Sequence, residues 1–127
     1  MKLTLLLLPD HLSVCQLSPD SPIPNWAEGI NLLSVTRTTD ELSIICESAT
    51  VPENIVAEKG WRALKIQGPL DFSLVGILKS LTVILANAEI SIFAISTYNT
   101  DYVLLKEHNL LKGKQTLCQA GYTILET

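Results

Sequence analysis

The stretch ISIFAISTYNTDYVLLKE, residues 90–107, sets Ser96, Thr97 and Asp101 between two apolar runs. A carboxylate beside two hydroxyls can hold an ammonium or guanidinium group, because charge-assisted hydrogen bonds are strong and directional. The same stretch also reads as a hairpin turn: Asn99 tolerates tight backbone, and Ser and Thr hydroxyls bond their own chain. The turn accounts for Asn99 and Thr100 but does not require Ser96, Thr97 or Asp101.

The nucleophile and base chemistry in the chain is thin. His11 stands four residues before Cys15, and His108 and Cys118 lie near the carboxy terminus. No strand–nucleophile–helix motif surrounds either thiol, so no catalytic residue and no enzyme is expected. Three cysteines at wide spacing, without a CxxC pair, give no metal site and read as small buried thiols of a reducing, cytoplasmic compartment. No cofactor is expected. Trp26 and Trp61 lack flanking basic clusters and read as packing anchors.

The 127 residues are 47% hydrophobic and carry a net charge of -4. Such a chain buries a core and presents no basic patch, so nucleic acid is not an expected partner. The apolar run Leu3–Leu8 is too short for a signal or a span and is followed by Pro9, Asp10 and His11; it reads as a buried strand, with no membrane role.

What must position the polar centre is a set of short elements. Trp61–Ile66 reads as a strand, broken by Gly68-Pro69. Asp71 or Ser73 suits the cap of a helix over about 74–88, whose Leu74, Ile77, Leu78, Leu81 and Leu85 form one face. The two strands of the hairpin follow. Asn109 suits the cap of a last helix, Gly121 its C′ position, and Tyr122–Leu125 a closing strand. The order is β-α-β-β-α-β. Upstream, Leu3–Leu8, Leu32–Arg37 and Leu42–Glu47 read as strands. The proline-rich SPDSPIPNW excludes a long helix, and TVPE predicts a short helix to Lys59, stopped by Gly60. Strand 61–66 closes the first unit or opens the second; as an ordinary strand it does not do both, so the two units share or exchange strands.

Sliding the chain by 60 positions aligns PDHLSV with PLDFSL and SVTRTTDELSII with AISTYNTDYVLL, setting Glu41 on Asp101. This predicts two related units, an abridged one over 1–60 and a full one over 61–127.

The segments WRALKIQGPLDFSLVGIL and ISIFAISTYNTDYVLLKE together resemble the ACT domain, in particular small tandem ACT proteins of bacteria and the ACT repeats of cytosolic arginine sensors. The resemblance implies an α+β fold of ferredoxin-like βαββαβ units, antiparallel sheets with helices on one face. It also implies a regulatory sensor that binds an amino acid or similar small ligand, acts on a protein target and works as a monomer or homodimer. The ligand residues it implies are Gly68, Pro69, Leu70, Asp71 and Phe72 in the loop, Ile95, Ser96 and Thr97 in the strand, and Asp101. For Gly68 a turn role, for Asp71 a cap and for Asp101 a solvated turn acid stand beside these roles. The alternative function is a protein interaction module of the same fold without a small ligand.

Overall fold

The computed structural model describes residues 3–67 and 76–126. It contains strands β1 (Thr4–Leu7), β2 (Leu12–Leu17), β3 (Ser34–Arg37), β4 (Leu42–Glu47) and β5 (Val56–Gln67). Helix α1 (Ile77–Asn87), β6 (Ile92–Ser96), β7 (Asp101–Lys106), α2 (Leu110–Gln119) and β8 (Thr123–Glu126) follow. The chain divides into two compact units, Met1–Pro9 with Arg62–Thr127, and Asp10–Trp61.

Among the described residues, the first of these is a layer of two helices, α1 and α2, on a sheet ordered β8-β1-β5-β7-β6. Alternation along the strands sends Leu5, Leu7, Leu64, Ile66, Val103 and Leu105 to one face, where they bury Leu81 and Leu85 of α1 and Leu117 of α2. The expected helical face is present, with Leu81 only 1% exposed; Leu74, Asp71 and Ser73 lie outside the described residues. Both helices end in Schellman turns. Glu89 and Ile90 N–H groups return to the Ala86 and Leu85 carbonyls, and Gly121 and Tyr122 to Cys118 and Leu117. Gly121 thus holds the C′ position expected of it, at φ 101°. Asn109 does not cap: its side chain makes no cap hydrogen bond, because a 3-10 turn over Glu107–Asn109 already leads into α2.

The strand anticipated at Leu3–Leu8 forms, but its place differs from the expectation. β1 pairs antiparallel with β5 (Leu5↔Ile66) and parallel with β8 (Leu5↔Ile124). It lies between the first and last strands of the βαββαβ order, so it is a neighbour of 62–67 and not its counterpart. The α+β class holds, with the parallel β1–β8 ladder beside the antiparallel β1–β5 and β6–β7 ladders.

The unit Asp10–Trp61 has the order β3-β4-β2-β5. Its first strand is β2, at LSVCQL, a segment whose first residues the 60-position alignment sets on a helix start. Leu12 and Val14 lie on one face of it and Cys15 and Leu17 on the other. Cys15, Leu42, Ile44, Cys46 and Val51 form its core, with Trp26, Ala27 and Ile55 packed on them. The proline-rich segment takes the place of a helix, as its composition requires. It is tied down by the buried Asp10, which accepts from the backbone and side-chain amides of Asn31 at 3.0 and 2.7 Å. Thr50 Oγ1 also donates to the Trp26 carbonyl at 2.8 Å.

Two local expectations are corrected here. No helix runs to Lys59: a 3-10 turn covers Ser48–Thr50, and Val56 onward is extended. Gly60 stops nothing. At φ 84° it makes a bulge, with Lys59 and Gly60 opposite Ser13 in the β2–β5 ladder. Strand β5 therefore continues through it. Its first half pairs with β2 and its second half with β1, so it closes one unit and opens the other as a long shared strand rather than an ordinary one.

The two hairpins repeat one design at an offset of 59 positions. Arg37↔Leu42 and Ser96↔Asp101 are the last pairs of β3–β4 and β6–β7. In each turn the first residue donates its backbone N–H to the fourth residue's carbonyl, Thr38 to Glu41 and Thr97 to Thr100, both at 2.9 Å. In each the first residue's hydroxyl also bonds that carbonyl. A 3-10 turn follows each hairpin, over Ser48–Thr50 and Glu107–Asn109. The offset of 60 read from the sequence is one residue too long. Asp101 answers to Leu42, and Glu41 answers to Thr100.

Candidate functional site

The β6–β7 turn is built by β-branched residues that favour extended backbone on both sides and by Thr97, Asn99 and Thr100 at its corner. Its fourth residue, Thr100, is buried, and its Oγ1 donates to the Ile66 carbonyl at 2.7 Å. The turn is thereby fastened to the end of β5, immediately before residues 68–75. Gly68, Pro69, Leu70, Asp71 and Phe72 lie outside the described residues.

Ser96 and Asp101 face each other across the last pair of the ladder. Ser96 Oγ donates to Asp101 Oδ1 at 2.6 Å. Both share the helix-side face with Val103 and Leu105. Ser96 is exposed and Asp101 half-buried, so the carboxylate is oriented by its neighbour while remaining reachable from water. Its second oxygen has no hydrogen bond among the described residues. Thr97 is spent on the turn: its hydroxyl donates to the Thr100 carbonyl at 3.0 Å and accepts from the Thr100 N–H at 3.4 Å. Ile95 points to the opposite face with its partner Tyr102. Of the four predicted residues that are described, the fold brings Ser96 and Asp101 together and gives Thr97 and Ile95 other surroundings. Thr100, which reads in the sequence as one more polar turn residue, is the one that braces the turn.

The nucleophile candidates stay apart from this chemistry. Cys15 and Cys46 are buried and Cys118 is exposed, contrary to the expectation of three buried thiols. Burial pushes the Cys46 thiol up to about 12, with Cys15 adding to the shift. Burial also raises Cys15, partly offset by the hydrogen bond from Cys46. Such thiols are poor nucleophiles, since the thiolate is the reactive form. Among the described residues no group of three or more metal-ligating side chains comes together, and no helix is long and apolar enough to cross a membrane.

Comparison with known proteins places this architecture. A model of the ACT domain matches residues 56–119, half the chain. The chain belongs to the ACT-domain family. A second model, of an amino-terminal domain, matches residues 10–54. The chain is similar to a crystal structure from Agobacterium tumefaciens at 35% identity and a TM-score of 0.94, covering 100% of this chain and 95% of that one. A Vibrio cholerae protein shares the fold at 16% identity and a TM-score of 0.77, over 93% and 89% of the two chains. The regulatory subunit of aspartate kinase from Thermus thermophilus does so at 10% identity and a TM-score of 0.61, over 88% and 93%.

Proposed function

We propose that this chain is a regulatory module that binds an amino acid or a similar small ligand and transmits its presence to a protein target, without catalysis. The observation that carries the reading is the Ser96–Asp101 pair, 2.6 Å apart on a turn braced against the exit of β5. A carboxylate held in place and still hydrated is suited to an incoming ammonium or guanidinium, because its ordering is complete before the ligand arrives. Family membership and the fold shared with a regulatory subunit support the regulatory class. The proposed site extends to Gly68, Pro69, Leu70, Asp71 and Phe72, which follow β5 in the chain and whose backbone N–H groups, Pro69 having none, would receive a ligand carboxylate. Ile95 and Thr97 contribute through the strand and turn that carry Ser96. Cytoplasmic location and a monomeric or dimeric state belong to the same reading.

The test is a thermal-shift screen against the twenty amino acids, followed by calorimetric titration. A specific ligand at a hundred times its Kd raises stability by about 2.7 kcal/mol. Asp101→Asn keeps shape and removes charge, and weakens a cationic ligand by about 1–3 kcal/mol. A screen in which nothing shifts the midpoint supports the interaction-module reading instead.

A further inference from the structure

We infer that, of the two hairpin ends built on the same frame, only the Ser96–Asp101 end takes the cationic group of an amino acid, giving one ligand per chain. The inference rests on the proposed function and adds its stoichiometry. The frames match in register, turn hydrogen bonds and following 3-10 turn, so the difference lies in side chains at matched positions. Where one unit has Asp101, the other has Leu42, fully buried in its core. Where one has Ser96, the other has Arg37, whose Nη1 donates to the Pro19 carbonyl in the segment that follows β2. A cation arriving there meets a like charge already bonded to its own chain, and no carboxylate at the Asp101 position.

The acids at Asp40 and Glu41 do not restore the site. Asp40 matches Asn99 at the turn tip. Glu41 matches Thr100, the position that reaches back to a strand earlier in its own unit. Thr100 bonds Ile66 on β5, and Glu41 accepts from Gln16 Nε2 on β2 at 3.4 Å. The Glu41 carboxylate is therefore directed to the strand rather than to the ladder end.

The experiment is amide chemical-shift mapping by NMR on the full chain, with each of the twenty amino acids added separately at millimolar concentration. Shifts at Ser96, Thr97 and Asp101 without shifts over 37–42, and one equivalent by calorimetry, are the expected result. Asp101→Asn then weakens binding by about tenfold or more, and Arg37→Ser leaves it unchanged. Two equivalents, or shifts over 37–42 that persist in Asp101→Asn, overturn the inference while leaving the regulatory reading in place. No shift at either end overturns both.

Discussion

Gly113 of α2 lies against Leu105 of β7 so closely that a Cβ at 113 would come within 2.8 Å of Leu105 Cδ1. Leu105 is fully buried in the cluster that holds Leu85, Ile90 and Leu117, so its side chain would have to shift within the core to admit that atom. Glycine in a helix interior costs stability relative to alanine, so its use here reflects the approach of helix to sheet. Gly113→Ala is expected to destabilise by about 1–3 kcal/mol through overpacking, despite the gain in helix propensity. Adding Leu105→Val should recover part of that loss. Urea denaturation of the two single variants and the double variant measures this coupling.

Leu81 is 1% exposed and packs in the same core. Leu81→Ala should cost about 2–5 kcal/mol through lost contacts and a residual cavity. An equilibrium midpoint close to that of the parent would show that the helix phase is wrong.

The phase of α1 was legible because five apolar residues recur at helical spacing over a stretch with no proline. The hairpins were legible from their β-branched runs, with β4 read to the residue. What was not legible has physical causes. Gly60 carries a stop signal in sequence, but a bulge uses the same left-handed backbone without ending the strand. β2 is six residues of mixed Ser, Cys and Gln whose strand character comes from its partners. The one-residue slip in the repeat was invisible because apolar runs tolerate either alignment. It changed the counterpart of Asp101 from an acid to a leucine. For the site itself, Ser96 and Asp101 were readable from their types. Their separation from Ile95 and Thr97 needed the ladder.

The Thr100–Ile66 bond is buried, and Thr100→Val removes the donor while keeping the shape. The carbonyl it leaves without a partner should cost about 1–3 kcal/mol. Heat or denaturant melting reads this loss. Hydrogen exchange of the Thr97 and Thr100 amides should quicken locally as well. If the exchange is unchanged, the turn does not depend on the brace.

Glu89 closes α1 with φ at 61°, a conformation that costs a side-chain-bearing residue roughly 1–2 kcal/mol. The position is exposed. Glu89→Gly should therefore stabilise by about 0.5–1 kcal/mol after the entropy of glycine is subtracted. A lower melting temperature in the variant would count against the strained cap.

The thiols of Cys15 and Cys46 set a pH dependence. Both are raised above the ordinary value of 9.0 in the folded protein, Cys46 to about 12. Above pH 9 the unfolded chain loses these protons while the folded chain keeps them. Stability is thus full below 9 and falls as pH rises towards 12. Cys46→Ala should flatten that fall. A thiol reagent at neutral pH should label Cys118 alone in the native protein, since it is the exposed one of the three.

The position of β1 between β5 and β8 governs when the chain can finish folding. The unit Asp10–Trp61 holds all of its ladders within one continuous stretch, so those pairings can close while the rest is still being synthesised. The other unit is open until β8 exists, because β1, which precedes its other strands in the chain, takes β8, which follows them, along its parallel edge. Leu5 and Leu7 must wait through the synthesis of α1 and α2 before both sides of their strand are occupied. A ribosome-bound chain halted before Thr123 would present that unpaired edge of β1 to the cell, the place where a chaperone or a misplaced strand would first engage it.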